Sequence, residues 1–141
     1  MADLHSLIRL HKHELDEKRR ALGVLYTAMA ALERSRRDLA IAFDREKEAM
    51  RASSGEVHFT FAGYAEQVRK KNEEIDKNEE ALQKQIEEAR DSLMETFGEL
   101  KKYEMTQEER DRLAEEERNL KEAQAMDEIG LQGYRRKQEE S

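Results

Sequence analysis

"RASSGEVHFTF", residues 51–61, is the stretch whose reading decides the fold. The chain on either side reads as helix without interruption. Here Ser53, Ser54 and Gly55 supply helix-stop residues, and Thr60 is a candidate N-cap for a second helix. The alternation of Val57, Phe59 and Phe61 looks like a strand, but a strand this short needs a neighbour to pair with, and the sequence offers none. The stretch is therefore read as a turn over about 54–60, with the second helix starting at Phe61. A connection this short forces the two arms to lie antiparallel as a helical hairpin.

Working outward, the apolar residues of the first arm fall on two interleaved series with a period of seven. One is Ile8, Leu15, Leu22, Met29, Arg36, Phe43 and Met50; the other is Leu4, His11, Lys18, Leu25, Leu32, Leu39 and Glu46. Steps of three and four sustained over so many turns mark a coiled-coil seam rather than a broad globular face. At about 1.5 Å per residue the arm would be roughly 70 Å long. The second arm carries Phe61, Val68, Ile75, Leu82, Ala89, Thr96 and Tyr103, with Ala65, Asn72, Glu79, Ile86, Leu93 and Leu100 as companions. Neither arm can bury its stripe alone, so each is expected to serve as the other's core. Gly23 and Gly98 fall outside both seams, where they soften the helices without opening a cavity.

The fold class is thus all-α, a long antiparallel two-helix coiled coil. Arm one is expected over about 3–53, arm two over about 61–126, and a frayed, exposed tail over about 127–141, all as a single coiled-coil domain. After Tyr103 the pattern decays, and "TQEER", residues 106–110, offers a capping box of Thr106 with Glu109 that would restart or re-cap the helix. Pairing the arms about the turn brings Arg36 within about a layer of Glu79, two of the polar residues that interrupt the apolar series. They are a candidate register-fixing pair, the alternative being that Arg36 extends outward to solvent.

Composition supports long helices. Of 141 residues 42% are charged, yet there is no proline and the chain is rich in strong helix formers. Acid-before-base pairs four apart recur, as in Glu14/Lys18, Glu73/Lys77 and Glu117/Lys121. The net charge of −7 is uneven: residues 1–52 hold 11 Lys+Arg against 9 Asp+Glu, net +2, so the remainder carries −9. That balance argues against nucleic-acid binding, which needs a clustered basic surface. No apolar run approaches the roughly 20 residues that span a bilayer, so no direct membrane insertion is expected. A charged start with no apolar h-region is not a secretory signal. These features, with the absence of cysteine, fit a soluble protein of the cytoplasm.

Catalytic chemistry finds no support. His11 and His13 are two apart, about 200° round a helix, and cannot share a metal as a pair four apart can. No phosphate loop, nucleophile elbow or dinucleotide fingerprint occurs. The sequence is read as a non-enzyme with no catalytic residues, no metal site and no cofactor.

Two local stretches carry a family resemblance. "MDEIGLQGYRR", Met126–Arg136, resembles the Leu-Asp-Glu-Ile-Ala-Leu followed by basic residues found near the C-terminus of the bacterial flagellar export FliJ family, and "LHSLIRLHKHELDEKRRALG" resembles that family's first arm. Met126 and Gly130 stand where that pattern has Leu and Ala, and Gly130 implies a less helical tail. The resemblance implies a non-catalytic component of the flagellar type III export apparatus, in bacterial flagellum biogenesis and motility; the chain itself is expected to be a monomer. It implies a central-stalk-like role: promoting assembly of the hexameric export ATPase, and engaging the cytoplasmic domain of the export-gate membrane protein and the export chaperones. Its place would be cytoplasmic, peripheral to the inner membrane at the flagellar base. The resemblance assigns ATPase contact to the tail, here Ile129, Leu131, Tyr134, Arg135 and Arg136. For the gate or chaperones the aromatic residues Phe59, Phe61 and Tyr64 at the hairpin end are a physical choice, the alternative being that they cap the hairpin. Two other classes fit the same pattern: a holdase chaperone for export substrates, and a generic coiled-coil scaffold that dimerises through Leu113 and Leu120.

Overall fold

The computed structural model describes residues 3–53 and 55–140. Two helices account for nearly all of them: α1, His5–Arg51, and α2, Gly55–Glu140. No strand occurs among the described residues. The two helices pack against each other as an all-α helical hairpin.

By contacts the chain divides into two compact units, His13–Thr96 and a second made of Met1–Lys12 with Phe97–Ser141. In the first, partners climb α1 as they descend α2: Lys18 meets Thr96, Tyr26 meets Arg90, Arg36 meets Glu79, and Phe43 meets Phe61 and Tyr64. That order is antiparallel. Most of the residues withdrawn from solvent belong to the seven-residue series, with Leu15, Val68 and Ile86 buried and Leu22, Leu25, Leu32, Leu39, Ile75 and Leu82 half-buried, while Ala28, Tyr64 and Ser92 are half-buried beside it and Glu46 stays exposed. A two-helix seam leaves every layer open at its flanks, so most of its apolar residues can be covered only in part.

Three polar contacts tie the helices together, two in the seam and one, Tyr26 with Arg90, on its exposed flank. Lys18 Nζ donates to Thr96 Oγ1, which is only 3% exposed, and to the Ser92 carbonyl at 3.4 Å. Tyr26 Oη accepts from Arg90 Nε at 2.7 Å, with the guanidinium 5.5 Å from the tyrosine ring centroid. Arg36 closes the third. Each places a donor where apolar burial is incomplete, and satisfied polar contacts of this kind disfavour sliding by a turn.

The reversal is tighter than the sequence suggests. α2 begins at Gly55, so "GEVHFTF" is its first two turns, and Thr60 lies inside the helix rather than at its cap. The physical reason is how the end of α1 is satisfied. The Ser53 amide donates to the Met50 carbonyl at 3.1 Å and Ser53 Oγ donates to the Ala49 carbonyl at 2.8 Å. His58 Nε2 reaches back from α2 to donate to the Met50 carbonyl at 3.1 Å. Orphan carbonyls of a helix end need such partners, and here they come from Ser53 and from the incoming helix. No described residue has a positive φ, so the turn does not use a left-handed glycine.

In the other unit the first residues of α1 lie on residues 97–107 of α2. Ile8 and Leu100 are buried, and the His11 ring packs 5.0 Å from the Tyr103 centroid. His11 Nδ1 donates to the Leu7 carbonyl at 2.9 Å while Nε2 faces Glu99 at 3.4 Å. The seam continues one layer past Tyr103: Gln107 is buried, its Oε1 accepts the Leu4 amide at 3.0 Å, and its Nε2 donates to Asp111 at 2.9 Å. Gln107 thus caps the start of α1 from the opposite helix. Thr106 starts no new helix; its hydroxyl donates back to the Lys102 carbonyl at 2.8 Å, as a threonine inside a helix does.

Candidate interaction surfaces

Beyond Gln107 α1 has ended and α2 continues alone. Every residue from Asp111 to Glu140 is exposed, and all are helical. The frayed tail expected from Gly130 and Gly133 is instead the last turns of α2. Each glycine costs a helix about 1 kcal/mol. Local pairs offset part of that: Arg112 holds Glu109 at 2.5 Å and Glu116 at 3.0 Å, Lys121 holds Glu117 at 3.3 Å, and Gln138 Nε2 donates to Tyr134 Oη at 2.9 Å.

Helical spacing sorts the apolar residues of this segment into two faces. At about 100° per residue, Leu113, Leu120, Leu131 and Tyr134 lie within about 60° of one another, while Met126 and Ile129 lie on the opposite side. All six are exposed. The tail residues singled out from the sequence therefore divide: Leu131, Tyr134 and Arg135 share the first face, and Ile129 and Arg136 belong to the second.

At the hairpin end the three aromatic candidates also divide. Phe61 and Tyr64 are half-buried against Phe43, with centroids at 5.5 Å and 6.4 Å, and close the seam. Phe59 is 85% exposed and points away from that cluster. Sequence alternation grouped Phe59 with Phe61; helical geometry sets residues two apart about 200° from each other.

The structure brings Arg36 and Glu79 together. Arg36 Nη2 donates to Glu79 Oε2 at 2.6 Å and contacts Asp76 Oδ1 at 2.7 Å. Hydrogen bonding to Asp76 and then to Glu79 holds the guanidinium pKa above its ordinary value. Elsewhere on α2 two surface clamps act on carboxylates. Arg69 holds Glu66 below the usual carboxylate range, and Arg112 does the same to Glu109, chiefly through side-chain hydrogen bonds. The polar contacts of Gln107 and of Lys18 with Thr96 were not singled out from the sequence. Their signal was there: Lys18 and Thr96 stand in the apolar series, and Gln107 is seven beyond Leu100.

Among the described residues no group of His, Asp or Glu side chains is arranged to hold a metal ion, and no helix is long and apolar enough to cross a membrane. What the molecule presents is surface. The family model described as flagellar FliJ protein matches residues 1–139. The chain belongs to the flagellar FliJ family. Members of the FliJ family are non-catalytic components of the flagellar protein export apparatus, and the helical hairpin is consistent with that membership. Comparison with curated proteins yields no match, and comparison with solved structures yields none.

Proposed function

We propose that this FliJ-family chain is the central-stalk-like element of the export apparatus, promoting assembly of the hexameric export ATPase and coupling it to the export gate and export chaperones. One observation carries the reading: α2 runs on from Asp111 to Glu140 as a helix exposed on every side. A helix held inside a ring meets surface all round. Apolar anchors on opposite faces, Leu131 and Tyr134 on one and Ile129 on the other, suit that setting, and Arg135 and Arg136 offer cations to both sides. Phe59, the exposed aromatic at the hairpin end, is the docking residue for the gate or a chaperone, with Phe61 and Tyr64 shaping its base. Such a protein works in the cytoplasm, peripheral to the inner membrane at the flagellar base.

The test is ATP hydrolysis and ring formation by the cognate export ATPase, measured with the full chain and with a chain ending before Met126. Stimulation by the full chain and its loss on truncation are the expected results. No stimulation by the full chain ends the stalk reading. Equal stimulation by both ends only the assignment of ATPase contact to the tail.

A further inference from the structure

We infer that the exposed segment of α2, residues 111–140, pairs with the same segment of a second copy of this chain, antiparallel and in one register. The inference stands on the segment's own pattern and does not need the ATPase contact, although it uses the same face. Leu113, Glu117, Leu120, Gln124, Asp127, Leu131, Tyr134 and Gln138 succeed one another by alternating steps of four and three, the spacing of a coiled-coil core. All are exposed in the single chain.

Charge selects the orientation. A parallel, in-register pair would set Glu117 against Glu117 and Asp127 against Asp127 in its core, like charges at close range. An antiparallel pair centred between Ala125 and Met126 avoids both. It sets Leu120 opposite Leu131, Gln124 opposite Asp127, Glu117 opposite Tyr134 and Leu113 opposite Gln138, each twice by symmetry. At the flanks the same register brings Lys121 to Glu128 and Glu116 to Lys137, two opposite-charge pairs that are also doubled. Glu117 already has a cation at 3.3 Å, Lys121, so it approaches the partner tyrosine partly neutralised.

Length agrees. In this register Glu140 of one copy lies opposite Asp111 of the other. The partner would therefore cover α2 from where the withdrawn residues end, at Gln107 and Arg110, to its last described residue. One leucine–leucine layer in each symmetric half, with polar and mixed layers around it, makes a weak and reversible pair that high salt loosens. A monomer competent for the ring and a self-paired form with the same stripe covered then exclude one another.

Sedimentation equilibrium of the full chain alone tests this. The apparent mass should rise from 16.6 kDa toward twice that with concentration, and fall back in high salt. Lys121→Glu and Glu128→Lys should each weaken association by about tenfold, and the double reversal should restore it. Circular dichroism checks that each variant keeps its helix. The chain lacks cysteine, so orientation can be read by introducing one. Leu113→Cys mixed with Gln138→Cys should give a cross-linked heterodimer under oxidation, whereas Gln138→Cys alone should not cross-link. A chain monomeric at all concentrations, charge reversals that fail to rescue each other, or cross-linking of Gln138→Cys with itself would each overturn the inference.

Discussion

Arg36 of α1 binds two carboxylates of α2 at once, Glu79 at 2.6 Å and Asp76 at 2.7 Å, from a position where the seam's period calls for an apolar side chain. Asp76 and Glu79 are three apart and share one helix face, so a single guanidinium spans both. A slip of the hairpin by one heptad would carry Arg36 away from both. The contact is therefore expected to weigh more on register than on total stability.

A double-mutant cycle separates those two effects. Arg36→Ala and Glu79→Ala should each lower the melting temperature by a few degrees, and together by less than the sum, since each removes the same interaction. Replacing both with leucine should hold or raise the melting temperature while broadening the distribution of registers, read by paired spin labels on the two arms. Additive single effects would remove the coupling.

Lys18 and Thr96 make a second dependent pair, and this one is more deeply covered, with Thr96 3% exposed. Thr96→Val keeps the shape but deprives the ammonium of its acceptor, leaving the Ser92 carbonyl at 3.4 Å. A loss of about 1–2 kcal/mol is expected in urea unfolding. Lys18→Met made on top of Thr96→Val should recover most of it, because the stranded cation is gone.

Acid should loosen α2 from its surface clamps. Arg69 and Arg112 hold Glu66 and Glu109 below the ordinary carboxylate value of 4.5. A depressed folded pKa contributes stability above the unfolded value, and that stability is lost as pH falls through the folded one. Helicity by circular dichroism should therefore be flat near neutrality and decline only below pH about 4.5. Arg69→Ala with Arg112→Ala should move the acid midpoint upward.

Removing the end of α2 should leave the hairpin's melting unchanged. No residue from Asp111 to Glu140 is withdrawn from solvent, so a chain ending before Met126 should melt within about 2 °C of the full one. Leu100→Ala, by contrast, truncates a side chain only 4% exposed and should cost about 2–4 kcal/mol. Leu120→Ala, on the free segment, should cost under about 0.5 kcal/mol.

The period of seven was sufficient to find the seam. Leu15, Val68, Ile86 and Leu100 are buried where the two series put them, and Arg36 faces Glu79 because both stand in those series on arms of matched length. Side-chain spacing on a helix is fixed by local geometry, so a sequence alone determines which face is apolar and, with one short break, that two such faces meet antiparallel. It also carried the family, through the tail and the first arm. What only the tertiary structure decided were the ends. α2 starts at Gly55 because Ser53 and His58 satisfy the last carbonyls of α1, and His58 can do so only across the completed turn. Gln107 is buried because Leu4 needs an acceptor there, a contact 103 residues apart in the chain. Phe59 and Phe61 part company for the same reason: once the stretch is helix rather than turn, residues two apart face opposite sides. Helix ends are settled by which orphan backbone groups find partners, and those partners come from the other helix.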